Sequence, residues 1–361
     1  MSHDVVVLGA GLMGRLLALS LARQGARVQV HDAHGPEATH SAARAAAAML
    51  APLAESAITE LPVVSMGLHG LRRWPELLAT LPAPVYFQQA GTLILWHRQD
   101  QAEARRFEGL IRRTHAQLPD LAAPETLDAA QLARLEPAVA GRFAQGLYLP
   151  GEGQLDNRQL LDALHLALQE ADVQLHWHSA VEGHDAASLR AVFPAAGRIV
   201  DCRGLGARAA WPNLRGVRGE VVRVQAPGVR LQRPTRLMHP RYPIYIAPKE
   251  NGLFVIGATE IETEDLSPAS VRSTLELLSA AYTVDSGFAE ARILEIATQA
   301  RPTLSDNLPA LRPLGHGVLQ VNGLYRHGYM ISPAMLDATL QWLAEGDSPL
   351  AREWQLIPEP R

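Results

Sequence analysis

The chain has 361 residues, of which 47% are hydrophobic and 19% charged, as in a globular protein large enough for two domains. Its net charge of −4 gives no reason to expect nucleic acid or an anionic membrane as a partner. The single cysteine, Cys202, excludes an internal disulfide and a cysteine-based metal cluster, and we predict no metal site. The amino terminus has no signal-peptide pattern and no stretch approaches the roughly 18 apolar residues of a spanning helix, so we expect a cytoplasmic protein.

Residues 4–32 predict a strand, a glycine turn, a helix and a second strand. Val5–Leu8 is a continuous apolar run, as expected for a strand buried on both faces of a parallel sheet. The glycines of "GAGLMG" follow, then a helical pattern, and a second strand at 27–30 that leads to Asp32. This is the context in which a G-x-G-x-x-G motif predicts a bound dinucleotide.

Each glycine of the motif has a physical role in that interpretation. Gly9 permits the tight turn, Gly11 lets the backbone approach a pyrophosphate, and Gly14 lets the helix pack closely on the strand. The carboxylate of Asp32 is placed to accept hydrogen bonds from ribose hydroxyls and would repel a 2′-phosphate, which disfavours NADP. The contacts predicted at the turn itself are Gly9, Ala10, Gly11, Leu12, Met13 and Gly14.

The rest of the chain alternates between two kinds of pattern. Helices are predicted at 38–52, 60–80, 100–116, 268–282 and 334–345, and a helix followed by a strand at 156–181. Strands are predicted at 86–96, 197–208, 217–227 and 243–260, the last as a hairpin around 250–252. Because parallel-sheet signals and antiparallel-sheet signals interleave, we predict two domains whose segments alternate along the chain.

The spacing alone leaves NAD and FAD open. Two features favour FAD. The alanine-rich segment up to Met49 follows the Asp32 loop and offers a smooth surface for a large flat ring. A later strand ends in Gly204 and Gly206, where the chain could return to the same nucleotide.

Five separated motifs resemble the D-amino-acid-oxidase-like flavoproteins, and within them most of all the glycine oxidases of thiamin biosynthesis. In order, they are "AAAMLAP" (46–52), "VRGEVVRVQAP" (217–227), "YIAPKENGLFVIGATE" (245–260), "ARPTLSDNLP" (300–309) and "GLYRHG" (323–328). The resemblance covers essentially the whole chain. It implies an α/β fold (α+β overall), with a Rossmann-like FAD domain formed by 1–80, 145–215 and 296–361. A substrate domain formed by 81–144 and 216–295 would then roof the flavin with an antiparallel sheet.

The resemblance also implies an activity. Such enzymes oxidise an amine beside a carboxylate to the imine, and O₂ reoxidises the flavin to give H₂O₂. We therefore expect glycine, sarcosine or small D-amino acids as substrates, O₂ as co-substrate and a homo-oligomer such as a tetramer. The sarcosine-oxidase relatives tether FAD through a cysteine near the carboxyl end; this chain has none there, so we predict non-covalent FAD.

The matching positions imply site residues. Arg301 falls on the carboxylate-binding arginine, Tyr245 on its tyrosine partner with Tyr242 as a competitor, and Arg326 on a second arginine near the substrate. No residue is predicted to act as an acid or base, because the flavin accepts the hydride. The further predicted cofactor contacts are Ser41, Ala48, Met49, Val181, Gly204, Gly206, Arg301, His327, Gly328, Tyr329, Met330, Ile331 and Ser332.

One departure and two alternatives accompany these expectations. Ala48 stands where glycine oxidases usually have glycine. A dehydrogenase of the same fold that passes electrons to a quinone, or a dinucleotide-binding module without catalysis, would carry many of the same motifs.

Overall fold

Helices and strands alternate along residues 4–238 and 244–358, which are the residues that this computed structural model describes. The helices are α1 Leu12–Arg23, α2 Ala42–Ala45, α3 Pro52–Glu55, α4 Leu61–Leu78, α5 Gln101–Gln117, α6 Ala129–Leu135, α7 Asn157–Glu170, α8 Ala186–Val192, α9 Val271–Val284, α10 Gly328–Glu345 and α11 Pro349–Glu353. The strands are β1 Asp4–Leu8, β2 Arg27–His31, β3 Met49–Leu50, β4 Phe87–Gln88, β5 Thr92–Leu95, β6 Glu125–Asp128, β7 Gln145–Leu149, β8 Gly153–Leu155, β9 Gln174–His176, β10 Arg198–Asp201, β11 Arg215–Gln225, β12 Thr235–Leu237, β13 Ile244–Pro248, β14 Leu253–Gly257, β15 Arg292–Thr303, β16 Ala310–Gly315 and β17 Val318–Asn322.

The first sheet has the order β16-β17-β10-β1-β2-β9 and is parallel except for the edge strand β16. Val6, Val7 and Leu8 of the central strand are fully buried, because helices and loops cover both faces of the sheet. The carboxyl ends of β1, β2 and β10 meet at one edge, which is where open α/β sheets bind their ligands. The predicted α/β class is confirmed.

The second sheet has the order β15-β11-β14-β13-β12-β5-β7-β6 and is antiparallel apart from the β5–β12 pair. The predicted hairpin at 250–252 connects β13 to β14. A third, small sheet has the strand order β3-β8-β4. The domain boundaries stay a prediction; β7, which starts at the predicted boundary 145, pairs within the second sheet.

The expectation of a helix at 38–52 is wrong for most of that segment. Only α2 is helical before the chain becomes extended at Ala46 and enters β3, which pairs with β8. Two side chains capture carbonyl groups that a continuous helix would use: Asn157 Nδ2 donates to Ala43 O and Arg44 O, and Lys249 Nζ donates to Ala47 O. Tertiary hydrogen bonds therefore override the high helix propensity of alanine.

The last long helix begins at Gly328, six residues earlier than the predicted start at 334. Pro333 lies inside this helix and has no N–H to donate to the carbonyl four residues earlier, Tyr329 O. Another donor takes its place: the indole Nε1 of Trp74 donates to Tyr329 O at 2.8 Å. The helix can therefore continue through Pro333 back to Gly328.

The backbone dihedral angle φ of Ala48 explains why a glycine suits this position. Ala48 has φ = +53°, in the left-handed region where a Cβ costs about 1–2 kcal/mol. Ala46, two residues before it, has φ = −61°.

We expect Ala48→Gly to be more stable than Ala46→Gly by about 1–2 kcal/mol, because both remove one methyl group but only the first relieves left-handed backbone. Urea unfolding of the two variants measures this difference in free energy. Equal stabilities would show that position 48 stores no such strain.

Candidate active site

A cavity of about 650 Å³ runs from the carboxyl edge of the first sheet to the second sheet and the start of α10. Such a volume suits a large organic ligand. The predicted site residues that line it are Gly9, Ala10, Gly11, Leu12, Met13, Asp32, Ser41, Ala48, Met49, Val181, Gly204, Gly206, Tyr245, Arg301, Arg326, His327, Gly328, Tyr329 and Met330. Gly14, Ile331 and Ser332 do not line it, and Tyr242 lies outside the described residues.

The glycine turn has the close packing that its sequence predicts. Gly9 has φ = +90°, and a Cβ on it would lie 2.7 Å from Cys202 O. A Cβ on Gly14 would lie 1.8 Å from Gly9 O, so any side chain there would push α1 away from β1. Gly14 therefore acts through helix packing and not as a cavity contact.

The amino end of α1 fits a diphosphate. Gly11 precedes the helix without a side-chain cap, and the first turn holds no acidic residue. The N–H groups of this turn therefore have no side-chain acceptor, and they carry the partial positive charge of the helix end. Gly11, Leu12 and Met13 line the cavity. Asp32, at the end of β2, accepts hydrogen bonds from Ala10 N at 2.6 Å and His34 N at 2.8 Å. Because a carboxylate has about four acceptor positions, acceptor capacity remains for ribose hydroxyls. The N–H groups at the start of α1 and the carboxylate of Asp32 together match the adenosine diphosphate half of FAD.

Arg15 is a residue of this end that sequence reasoning missed. It is fully buried, with Nε donating to Ala10 O at 2.8 Å, Nη1 to Leu161 O at 2.7 Å and Nη2 to Pro36 O at 2.5 Å. Burial lowers the pKa of Arg15, and nearby Asp32 opposes that shift. One guanidinium therefore joins the glycine turn, the loop after Asp32 and α7. Its position one residue after Gly14, in an apolar helix, was the available signal.

Histidine pairs border the same end. His34 and His40 stack with ring centroids 3.9 Å apart and both line the cavity, while His31 stacks on His176 at 4.4 Å. Each pair joins distant parts of a loop or of neighbouring strands, so no sequence pattern would have indicated it.

The middle of the cavity is bordered by the alanine segment 45–49, and Lys249 holds this segment in place. Lys249 Nζ donates to Ala47 O, Gln154 Oε1 and Leu155 O at 2.7–3.0 Å. Burial lowers the pKa of Lys249 to about 7. The smooth surface that the sequence suggested for a flat ring is thus present, and from Ala46 to Met49 it is formed by non-helical backbone.

Arg301 lies at the far end of the cavity, on β15. Its Nη1 donates to Arg218 O at 3.2 Å and its Nη2 to Thr259 O at 3.1 Å, and within the described residues no carboxylate forms an ion pair with it. Burial lowers the pKa of Arg301, but a guanidinium stays charged at neutral pH. A Cβ on Gly219 would lie 2.3 Å from Arg301 Nη2, so a side chain at position 219 would displace the guanidinium.

Tyr245 lies on β13 beside this guanidinium. It opposes Gly257 on β14, and a Cβ on Gly257 would lie 2.9 Å from the Tyr245 hydroxyl oxygen. Burial raises the pKa of Tyr245, and Arg301 opposes the shift. The phenol is therefore a neutral hydrogen-bonding group facing the cavity.

Arg326, on the turn before α10, is paired with two carboxylates. Its Nε is 3.0 Å from Glu55 Oε2, and its Nη1 donates to Glu260 Oε2 at 2.5 Å. Burial would lower the pKa of Arg326, but Glu55 and Glu260 raise it. Glu55 and Glu260 therefore balance the charge of Arg326.

Glu55 connects three groups at this end. It also pairs with Arg236, and its Oε2 lies 3.6 Å from His327 Nδ1. Burial would raise the pKa of Glu55, but Arg326 and Arg236 outweigh it and lower the pKa to about 2. Burial lowers the pKa of His327 to about 4, so His327 is neutral at pH 7. Glu55, Arg236 and Glu260 were missed, because single charged residues in a helix, strand or loop carry no motif.

These features define a flavoenzyme: one cavity joins a dinucleotide-binding edge to a partly buried arginine on the antiparallel sheet. Residues 4–341 match the model of the DAO family, described as FAD dependent oxidoreductase. The chain belongs to this family, and FAD is its cofactor. The alternative of a dinucleotide-binding module without catalysis is therefore wrong.

Individual relatives agree with the family. The chain is 40% identical over 334 residues to a putative thiamine biosynthesis oxidoreductase ThiO of Rhizobium etli, covering 92% of this chain and 93% of that protein. Its fold matches the crystal structure of glycine oxidase from Geobacillus kaustophilus with a TM-score of 0.81 at 23% identity, over all of both chains. It also matches iminodiacetate oxidase from Chelativorans sp. BNC1 with a TM-score of 0.78 at 22% identity, over 98% of each chain.

Within residues 4–238 and 244–358, no helix combines the length and apolar character needed to cross a bilayer.

We expect Arg15→Met to weaken FAD binding about tenfold or more, because the turn and the loop after Asp32 lose a shared charged donor. Titration of the apoprotein with FAD, followed by flavin fluorescence, measures the dissociation constant. Arg23→Met is the matched control, since Arg23 ends the same helix on the surface and its side chain donates to Thr80. Unchanged affinity in Arg15→Met would contradict the role given to this residue.

We expect Glu55→Gln to reduce the free energy of unfolding by about 3–5 kcal/mol at pH 7, because it leaves the buried Arg236 without its carboxylate and removes one of the two carboxylates paired with Arg326. Since folding lowers the pKa of Glu55 from 4.5 to about 2, its contribution is complete above pH 4.5 and is lost as the pH falls through 2. Urea unfolding between pH 3 and 8 should show the difference between wild type and variant shrinking below pH 4.5.

Glu103→Gln is the control, because Glu103 forms an exposed pair with Arg106 worth less than about 1 kcal/mol. A Glu55→Gln effect as small as that of the control would show that the buried network is not stabilising.

Proposed function

We propose that this protein is an amino-acid oxidase that converts glycine, and also sarcosine and small D-amino acids, to the imino acid while O₂ is reduced to H₂O₂. The proposal rests chiefly on Arg301, a partly buried guanidinium that lines the end of the cavity opposite the dinucleotide turn and pairs with no carboxylate among the described residues. A substrate carboxylate would supply the missing counter-charge through two parallel hydrogen bonds.

The surrounding residues favour a small substrate. Tyr245 offers a neutral hydroxyl beside Arg301, and the opposing strand bears Gly257. Arg326, predicted as a helper, already has its charge balanced by Glu55 and Glu260, so its contribution in this proposal is secondary to that of Arg301. The chain's task is to hold the amine so that its Cα–H faces the ring, which is an orientation effect.

FAD supplies the redox chemistry when bound, by accepting a hydride from the substrate. No side chain is needed as a strong base if the amine binds in its neutral form. His327 suits a structural role, because its pKa of about 4 keeps it uncharged at working pH and Glu55 lies against it. We keep the prediction that FAD is non-covalent: Cys202 borders the cavity, but burial raises its pKa and leaves it a neutral thiol.

The physiological role that we propose is to supply dehydroglycine for the thiazole of thiamin, which the 40% identical relative's name supports. The alternative electron acceptor, a quinone, would make the same fold a dehydrogenase. Peroxide formation with O₂ compared with dye reduction under nitrogen distinguishes the two. A cytoplasmic homo-oligomer, such as a tetramer, remains our expectation for the protein in solution.

We expect Arg301→Lys to lower kcat/KM for glycine by a factor of about 10²–10³, because lysine keeps the charge but loses the planar two-bond contact. Steady-state peroxide production measures kcat/KM, and the visible spectrum checks that flavin stays bound. Arg292→Lys is the matched control, an exposed arginine on the same strand. Near-normal turnover in Arg301→Lys would mean that another group holds the carboxylate.

A further inference from the structure

Glu260 places a negative charge at the substrate end of the cavity, about 34% exposed and without a role in the oxidation itself. It lies in the loop between β14 and α9. Besides its bond with Arg326, its Oε1 accepts a hydrogen bond from the Tyr325 hydroxyl at 2.5 Å. Both oxygens of the carboxylate are therefore engaged, so its orientation is fixed.

The loop that carries Glu260 is fastened by three further acidic residues; residues 260–265 are called the acidic loop here. Glu262 pairs with Arg215 at 3.2 Å, Glu264 pairs with Arg208 and accepts from Gly216 N, and Asp265 Oδ2 lies 3.6 Å from Arg218 Nη1. Each pair joins the loop to β11 or to the turn before it. The acidic loop thus holds Glu260 in place at the substrate end.

The charges around that end leave room for one carboxylate. The charged side chains that the structure describes along the substrate end of the cavity are Arg236, Arg301, Arg326, Glu55 and Glu260. Three positive and two negative charges leave one positive charge, and Arg301 is the arginine without a carboxylate partner among them. One substrate carboxylate balances it. A second carboxylate would lie near the negative charge of Glu260 with no positive charge left to pair with.

We infer that Glu260 is a specificity-determining residue that restricts the substrates to amines with one carboxylate and rejects dicarboxylic amines. This inference rests on the proposed amino-acid oxidation. Rejection by a like charge is a common way to obtain specificity, because the unpaired charge costs more than the added contacts contribute. The fold does not impose the restriction, since a protein of the same fold is an iminodiacetate oxidase.

Sarcosine and iminodiacetate form a matched pair for the test, because iminodiacetate is sarcosine with a carboxylate added to its N-methyl group. The experiment measures kcat/KM for both amines, at one ionic strength, for wild type, Glu260→Gln and Glu262→Gln. Glutamine keeps the shape of the side chain and its bonding to Tyr325 while it removes the charge. Glu262→Gln removes a neighbouring charge that lies outside the cavity lining.

We expect Glu260→Gln to raise the iminodiacetate-to-sarcosine ratio of kcat/KM by about tenfold or more, and Glu262→Gln to leave it unchanged. A ratio in Glu260→Gln within twofold of wild type would overturn the inference. An equal rise in both variants would also overturn it, because it would reflect the general surface charge.

Acetate and malonate provide a second measurement that needs no turnover. Their dissociation constants for the FAD-bound wild type follow from changes in the flavin absorption spectrum. We expect malonate to bind at least tenfold more weakly than acetate, and equal or tighter binding of malonate would overturn the inference. If the wild type oxidises neither glycine nor sarcosine, the proposed function fails, whereas the acetate–malonate comparison, repeated with Glu260→Gln, still tests whether Glu260 rejects a second carboxylate.

Discussion

The substrate end of this protein depends on Arg301, a partly buried guanidinium with no carboxylate partner among the described residues. A buried charge is costly unless it is paired, and the two neighbouring arginines meet that condition through Glu55 and Glu260. Arg301 meets it only through two backbone carbonyls in the described part of the chain. The long β11–β15 pairing and Gly219 hold Arg301 in this position. The architecture thus leaves one electrostatic requirement for a small molecule to satisfy.

The opposite end of the cavity offers mainly backbone N–H groups to a ligand. Close approach of α1 to β1 at Gly14 and Gly9 aims free N–H groups at the cavity, and Asp32 adds acceptors beside them. Arg15 lies behind this turn, and its guanidinium donates to three backbone carbonyl groups. In the function that we propose, the two ends therefore differ in kind: one recognises a dinucleotide by geometry, and the other recognises a carboxylate by unbalanced charge.

The sequence predicted what local patterns encode. The strand–turn–helix–strand at 4–32 and the amphipathic helices α4 and α5 were predictable because glycine spacing and apolar period are properties of contiguous residues. The family and its cofactor followed from motifs spread along the chain and are confirmed. The roles of individual site residues stay predictions, although most of those residues line one cavity.

What the sequence did not predict depends on contacts between distant residues. The alanine segment is extended because Lys249 and Asn157 take its carbonyls, and α10 starts early because Trp74 replaces the donor that Pro333 lacks. The pairing of Glu55 and Glu260 with Arg326 brings together three separate parts of the chain. Helix propensity is a property of the local sequence. It therefore gives the wrong answer where a side chain from a distant part of the chain donates a hydrogen bond to a backbone carbonyl.

The central claim is that Arg301, and not Arg326, holds the substrate carboxylate. The most direct measurement is a crystal structure of the FAD-bound protein with glycolate, which keeps the carboxylate of glycine but has a hydroxyl in place of the amine. We expect the glycolate carboxylate to accept two hydrogen bonds from Arg301 while Glu55 and Glu260 stay paired with Arg326. A carboxylate bound to Arg326, with Glu260 displaced from it, would contradict the account.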